Sequence, residues 1–396
     1  MKKFAKVIIL TVLSIFALFI AFTLLNVINY ALLQKYVQSF EKVEYENQLT
    51  PTRSEEETFF VTDNDFKILQ ITDVHITGGI LFAKTDKKAL KTVASMIAVE
   101  KPDLVIVTGD ISFAGPYAGS INNSRSHEIF ISLLERLGVY YTVTFGNHDS
   151  EAYNFYNRQK ICDFYKAENL NYSLFSNDDG DVYGECNHVI TVKNSLGLIT
   201  QSLIMLDSNS YTNNDYIGIM AQYDKIHEDQ ISWYERVVLS QKQKNQVIYD
   251  GLTPEQKQNN SSKVNSLAFF HIPPTEMRTA YAEYESNGNA NTPNVTYISG
   301  KKSEKECPPV IEDEFFEKAL ELGSTKAMFF GHDHLNNHVL NYKGIVLSYG
   351  YSIDYSAYPG ISRKTSQRGA TVITVKPNGD FVAIHENYHQ DKYLNA

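Results

Sequence analysis

Lys101-Pro-Asp-Leu-Val-Ile-Val-Thr-Gly-Asp110 is the stretch whose reading decides the fold. Leu104 to Val107 is an apolar, largely β-branched run without alternation, the pattern of a strand covered on both faces. Gly109, just past its end, lets the backbone turn tightly and leaves Asp110 at the carboxyl edge, where sites collect in α/β sheets. Upstream, Phe66 to Ile71 reads as another short strand, running into Asp73-Val-His75. Between the two, Thr85 to Glu100 carries Leu90, Val93, Ala94 and Ile97 on one helical face, and Pro102 stops it. Strand, helix and strand together predict a parallel sheet with covering helices.

The same strand-end pattern recurs downstream. A helix over His127 to Leu137 precedes a strand, Val139 to Phe145, that ends in Gly146-Asn147-His148-Asp149. Leu267 to Phe270 ends on His271 before Pro273 and Pro274, and Ala327 to Phe330 runs into Gly331-His332-Asp333-His334. In an extended segment residues two apart point to the same side, so Asp73 and His75 can grip one ion together. Any one such motif is weak, but their repetition at successive strand ends is hard to ascribe to chance. His188 to Val192 and Leu198 to Asp207 read as a hairpin. His127, His188 and His227 read as structural, and His338 stays outside the site. Residues 251–263 look like a flexible connection and 284–307 like an insertion.

At 396 residues the chain holds one large or two medium domains. A net charge of −10 argues against nucleic acid as the main partner, which needs a basic footprint. Three cysteines are too few for a disulfide scaffold. Cys162 and Cys186 either pair or stay free thiols, with Cys307 left over.

Residues 7–25 are uncharged and apolar, with the length of a bilayer span. Lys2, Lys3 and Lys6 precede the run, and Glu41, Glu44 and Glu46 follow it. The positive-inside bias then places the N-terminus in the cytoplasm and the rest outside, as a single-pass membrane protein. A cleaved signal peptide and secretion is the alternative. The organisation expected is an anchor over 1–33, a polar, solvated linker over 34–65 and a catalytic domain over 66–390.

In order, the strand-end residues are Asp73, His75, Asp110, Asn147 with His148, His271, His332 and His334. This series resembles the calcineurin-like metallophosphoesterase superfamily, whose blocks D-x-H, G-D, G-N-H-[DE], H and G-H-x-H are all present in that order. The surroundings of His148 and His271 look closest to a purple-acid-phosphatase-like branch. The resemblance implies an α/β fold in which a two-sheet sandwich is flanked by helices. It also implies two divalent transition metal ions, Mn, Fe or Zn. Asp73, His75 and His334 would hold one, Asn147, His271 and His332 the other, and Asp110 would bridge them. A bridging hydroxide would attack phosphorus in line. His148 matches the family's catalytic histidine and Asp149 the acid that orients it. Asn147, His148 and Arg368, in Gln367-Arg-Gly-Ala370, are the residues expected near the substrate phosphate. One position departs: Phe113 stands where the purple enzymes carry a ligating tyrosine, so no purple colour is expected.

Three functions follow for comparison. The first is an outward-facing, membrane-anchored phosphatase acting on phosphate esters. The second is a phosphodiesterase on nucleotides or lipid headgroups with the same metals. The third is a non-catalytic metal-bound scaffold, which usually lacks a ligand or the catalytic histidine; this chain lacks neither. The loops 114–124, 171–187 and 284–307 are expected to shape the pocket. No protein partner follows from the sequence.

Overall fold

The apolar run before Gly109 is a strand buried at every position, and the surrounding elements exist to cover its two faces. The computed structural model describes residues 2–54, 56–177, 181–216, 218–358, 361 and 367–395. The chain begins with α1 (Lys2–Val37) and two short strands, β1 (Thr52–Arg53) and β2 (Thr58–Val61). It then alternates β3 (Phe66–Ile71), α2 (Ala83–Glu100), β4 (Leu104–Thr108), α3 (Asn123–Leu137) and β5 (Tyr141–Thr144). These three strands pair in parallel, as the βαβ reading predicts. After α4 (Arg158–Tyr165) come the antiparallel pair β6 (His188–Lys193) and β7 (Ile199–Met205), then α5 (Glu228–Asp250) and α6 (Pro254–Gln258). The second half runs through β8 (Asn265–Phe269), α7 (Thr275–Ser286), β9 (Val295–Ser299), α8 (Phe315–Leu322) and β10 (Thr325–Phe330). It closes with β11 (Val339–Tyr342), β12 (Ile345–Tyr349), β13 (Gly369–Val375) and β14 (Phe381–Asn387).

Two sheets result. One has the order β14-β13-β3-β4-β5, the other β1-β2-β6-β7-β8-β10-β12-β11-β9. Side chains alternate across each strand, and the alternation builds the layers. Ile68, Leu104 and Ile106 point between the sheets and meet Leu267, Phe269 and Phe329. Their neighbours Leu69, Val105 and Val107 point outward and pack with Leu90, Val93, Ile97 and Phe130 of α2 and α3. On the other side Ala268, Met328 and Phe330 pack with Trp233, Tyr234 and Phe316 of α5 and α8. The chain is therefore a two-sheet sandwich flanked by helices. Truncating a ring such as Phe329, fully buried between the sheets, would cost about 3–5 kcal/mol.

The polar stretch 34–65 is not a solvated tether, as the sequence suggested. Val37 of α1 is fully buried with Leu33 in the α2/α3 core, and the Val43 N–H donates to the Leu137 carbonyl at 2.9 Å. β2 pairs in parallel with β6, and Phe60 is buried between the sheets. Only a few apolar residues make these contacts, so the bulk composition hides them. Two other expected loops also hold structure: 251–263 contains α6 behind a Thr253/Gln256 capping box, and 284–307 contains β9, which pairs with β11. All three cysteines are free, Cys162 and Cys186 in the interior.

Candidate metal centre

Five parallel strands end at one edge of the sandwich, and each delivers the polar cluster expected of it. The backbone is bent to do so. Asp73, His75, Asp110 and His332 have φ of 52°, 54°, 52° and 78°, a left-handed conformation that costs an L-residue roughly 1–2 kcal/mol. Such strain persists only where the surroundings over-determine it, and it clusters at working sites. Close approach does the rest: a Cβ on Gly146 would sit 2.1 Å from Asp110 Oδ1, so that position admits no side chain.

Two groups of donors converge there, Asp73, His75, Asp110 and His334 in one and Asp110, His271 and His332 in the other. Asp110 belongs to both. Its Oδ2 lies 3.4 Å from His75 Nε2 and 3.2 Å from His271 Nε2, while His334 Nε2 is 3.4 Å from Asp73 Oδ1. His271 Nδ1 meets the Thr108 carbonyl at 2.8 Å. A carbonyl only accepts, so Nδ1 carries the proton and Nε2 offers its lone pair to the centre. His334 Nδ1 is held the same way by Asp354 Oδ2 at 3.1 Å. His75 Nε2, Asp110 Oδ2, Asn147 Oδ1, His271 Nε2 and His332 Nε2 are buried without a hydrogen-bond partner. Buried donors and acceptors are rarely left so, and these five share one place. Oxygen and imidazole donors without a thiolate suit two ions of the Mn, Fe or Zn kind.

The family model for calcineurin-like phosphoesterases matches residues 66–336. The chain belongs to that family. It is 27% identical over 321 residues to "Probable inactive purple acid phosphatase 14" of Arabidopsis thaliana, covering 76% of this chain and 73% of the relative. It is 26% identical over 298 residues to "Phosphatase DCR2" of Saccharomyces cerevisiae, covering 70% of this chain and 45% of the relative. A dimetal phosphatase structure from Danio rerio aligns with a TM-score of 0.45 at 13% identity, over 81% of this chain and 98% of that one.

In this phosphoesterase-family chain the charges of the centre are set by competition. Burial pushes the Asp73 and Asp110 carboxyls up, but neighbouring imidazoles outweigh it and hold both well below the usual range. Burial likewise pushes His75 and His271 down, yet Asp110 and Asp73 beside them raise both to about 9. At His332 burial wins, aided by the His271 charge, and the imidazole falls to about 3. The carboxylates thus stay ionised and hold protons on the His75 and His271 imidazoles, protons that a bound cation would displace to free the Nε2 lone pairs.

Two expected roles are corrected. Asp149 does not orient His148. Its carboxylate accepts four backbone N–H groups, those of Asp110, Ile111, Ser112 and Gly146, at 2.7–3.0 Å, and so braces the turns after β4 and β5. His148 Nδ1 is held instead by Glu151 Oε1 at 2.7 Å, a carboxylate that also accepts from Tyr211 Oη at 2.9 Å. Tyr211 in turn accepts from Asn147 Nδ2 at 3.0 Å, so histidine and amide share one network. An i,i+3 carboxylate is a signal available in the sequence, whereas the G-N-H-[DE] block points to Asp149. Arg368 does not reach the centre: its guanidinium donates to the carbonyls of Ile353 and Asp354 and lies 3.9 Å from the Tyr355 ring. It supports the segment that carries Asp354, and nothing in the sequence marks Asp354 itself.

A cleft of about 250 Å³ opens beside Asp110, His148, His332 and His334. Phe113, Tyr223, Glu304, Cys307 and Tyr358 wall it. Among the described residues, 284–307 is the expected loop that contributes; the other walls come from the residues after β4, β7 and β12. Phe113 lies with its ring centroid 5.0 Å from His75 and 5.1 Å from His148, an apolar wall where a tyrosinate would otherwise stand. The remaining histidines are structural, though His127 is more deeply set than a first-turn residue. It is fully buried, against Tyr165 Oη at 2.9 Å.

Proposed function

We propose that the chain is a metal-dependent phosphoric ester hydrolase, anchored in a membrane by α1 with its N-terminus cytoplasmic and its catalytic body outside. The observation that carries the reading is the pair of donor groups sharing Asp110, with lone-pair atoms buried and unpartnered. Asp73, His75, Asp110 and His334 would hold one ion, and Asp110, Asn147, His271 and His332 the other. Two divalent ions there would polarise the phosphoryl group and supply hydroxide at neutral pH. The chain's own residues do the rest. With two divalent ions held, Asp110 and Asp73 would leave the centre net positive, which would draw in a phosphate dianion. Glu151 fixes the His148 ring, which borders the cleft and is partly exposed. His148 Nε2 hands its proton to the ester oxygen as the P–O bond breaks, so alcohol and inorganic phosphate leave. His148, which borders the cleft, is the residue proposed to touch the substrate, whereas Asn147 is fully buried and would act through the ion it holds.

The cleft is small beside most ligand pockets, which favours a monoester over a diester with two bulky arms. Three relatives, all of Arabidopsis thaliana, are named "probable inactive" purple acid phosphatases; the complete donor set and His148 support catalysis in this chain. The apolar part of α1 has a mean hydropathy of 2.9 and no burial, and its later turns pack into the body, which supports a retained anchor over a cleaved signal. The test is full-length protein with p-nitrophenyl phosphate and bis-p-nitrophenyl phosphate, loaded with Mn, Fe or Zn. Turnover that a chelator abolishes and Asp110→Asn lacks is expected; metal bound without turnover would leave a scaffold.

A further inference from the structure

α1 is one unbroken helix of 36 residues, and its two halves do different things. Phe22, Asn26, Asn29, Leu33 and Val37 face the body at helical spacing, whereas residues 4–21 are all exposed. The docked half runs alongside α3 in the same direction. Asn26 Nδ2 donates to the Gly119 carbonyl at 2.7 Å and Asn26 Oδ1 accepts the Ile80 N–H at 2.9 Å. Further on, Tyr30 Oη donates to Glu128 Oε2 at 2.6 Å, and Val43 reaches Leu137 at the end of α3. α3 starts at the edge that bears the metal centre, because it follows the Asp110 loop. The exposed half of α1 therefore leaves the body past that same edge, as about 27 Å of helix at 1.5 Å per residue, close to a hydrocarbon thickness of about 30 Å.

The loops that grip α1 are the loops of the site. Ile80 and Gly119 lie in the segments following His75 and Asp110, and the second also supplies Phe113 to the cleft. The same rim exposes large apolar side chains. Leu81 is 62% exposed, Tyr117 43% and Phe155 62%, one from each loop after β3, β4 and β5. Across the cleft Ile219, Met220 and Ile311 are exposed as well, in segments flanking Tyr223, whose carbonyl accepts the Val310 N–H. Apolar groups on two sides of a polar cleft, beside a bilayer span, fit an interface that is apolar beneath and phosphate-bearing above.

Resting on the phosphoesterase and anchor readings above, we infer that the cleft faces the bilayer surface and that its substrate is the phosphate of a lipid headgroup. Leu81, Tyr117 and Phe155 enter the interface and set the cleft at headgroup level. A soluble ester reaches the centre only through the gap between rim and membrane.

The experiment uses the full chain in phosphatidylcholine vesicles doped with phosphatidic acid, a phosphatidylinositol phosphate or phosphatidylglycerol. p-Nitrophenyl phosphate is assayed in the same vesicles. Release of phosphate or headgroup from at least one lipid is expected, and Leu81→Ser/Phe155→Ser should slow it at least about tenfold while aryl phosphate turnover changes less than about twofold. Independently, Phe155→Trp in vesicles with brominated acyl chains should show quenching that the native chain, whose single tryptophan, Trp233 of α5, is buried in the core on the far face of the second sheet, does not. Aryl phosphate turnover without attack on any lipid, an equal loss of both activities in the rim variant, or no added quenching would overturn the inference. Loss of aryl phosphate turnover in the native chain would instead sink the phosphoesterase reading, leaving the quenching to report on the surface alone.

Discussion

Asp149 and Glu151, two residues apart, should fail in opposite ways. In Asp149→Asn the amide keeps one oxygen for two of the four backbone N–H donors and turns its own N–H₂ on the other two. Two buried charge-assisted hydrogen bonds are lost, at about 1.5–3 kcal/mol each, so the variant should be destabilised by about 3–6 kcal/mol. That is a large part of the 5–15 kcal/mol typical of a domain. In Glu151→Gln the side chain still accepts from His148 through its carbonyl, and what disappears is the charge assistance. At about 1–2 kcal/mol this should lower kcat roughly 5- to 30-fold, with KM and the unfolding midpoint nearly unchanged. The assay is urea unfolding of each purified variant beside metal-loaded turnover of p-nitrophenyl phosphate. A normal urea midpoint with impaired kcat in Asp149→Asn, together with full activity in Glu151→Gln, would restore Asp149 as the orienting acid and refute the assignment made from the geometry.

Asp354→Asn removes the carboxylate behind His334 and should weaken metal binding about 10- to 100-fold, read by competition with a fluorescent chelator; unchanged affinity would make that contact incidental. Gly146→Ala places a methyl against the Asp110 carboxylate, and the variant should bind neither ion, a result that elemental analysis after gel filtration checks directly. Stability should also depend on pH through His338, which burial and the Lys302 ammonium push down to about 3. Its ordinary value is 6.5, so below pH 6.5 the unfolded chain takes up a proton that the folded one refuses. Stability is then full above pH 6.5 and declines as pH falls toward 3. His338→Gln should flatten that decline in urea midpoints, and an unaltered slope would remove His338 as its source.

Strand ends are where the sequence speaks most plainly. Buried parallel strands are continuous apolar runs, so Leu104 to Val107 and Ala327 to Phe330 stand out, and the polar residues just past their ends form the candidate centre. The helices between them show through spacing alone, α2 and α3 among them. The residues that converge at the candidate centre were therefore legible as a series from Asp73 to His334, and so was the sandwich that displays them.

What lay beyond the sequence depends on groups that meet across long separations or through few atoms. Glu151 and Asp149 are both acids beside His148, and only the backbone path decides which carboxylate meets the imidazole and which meets four amides. Asp354 and Arg368 meet through a carbonyl, which no side-chain pattern records. The stretch 34–65 looks like solvated linker by composition, because its buried contacts need only Val37 and Val43 in the α2/α3 core and Phe60 between the sheets. The direction in which α1 leaves the body was likewise fixed by packing: its apolar content marks a candidate span, but only its seat against the loops after His75 and Asp110 turns that half of the helix toward the edge of the candidate metal centre.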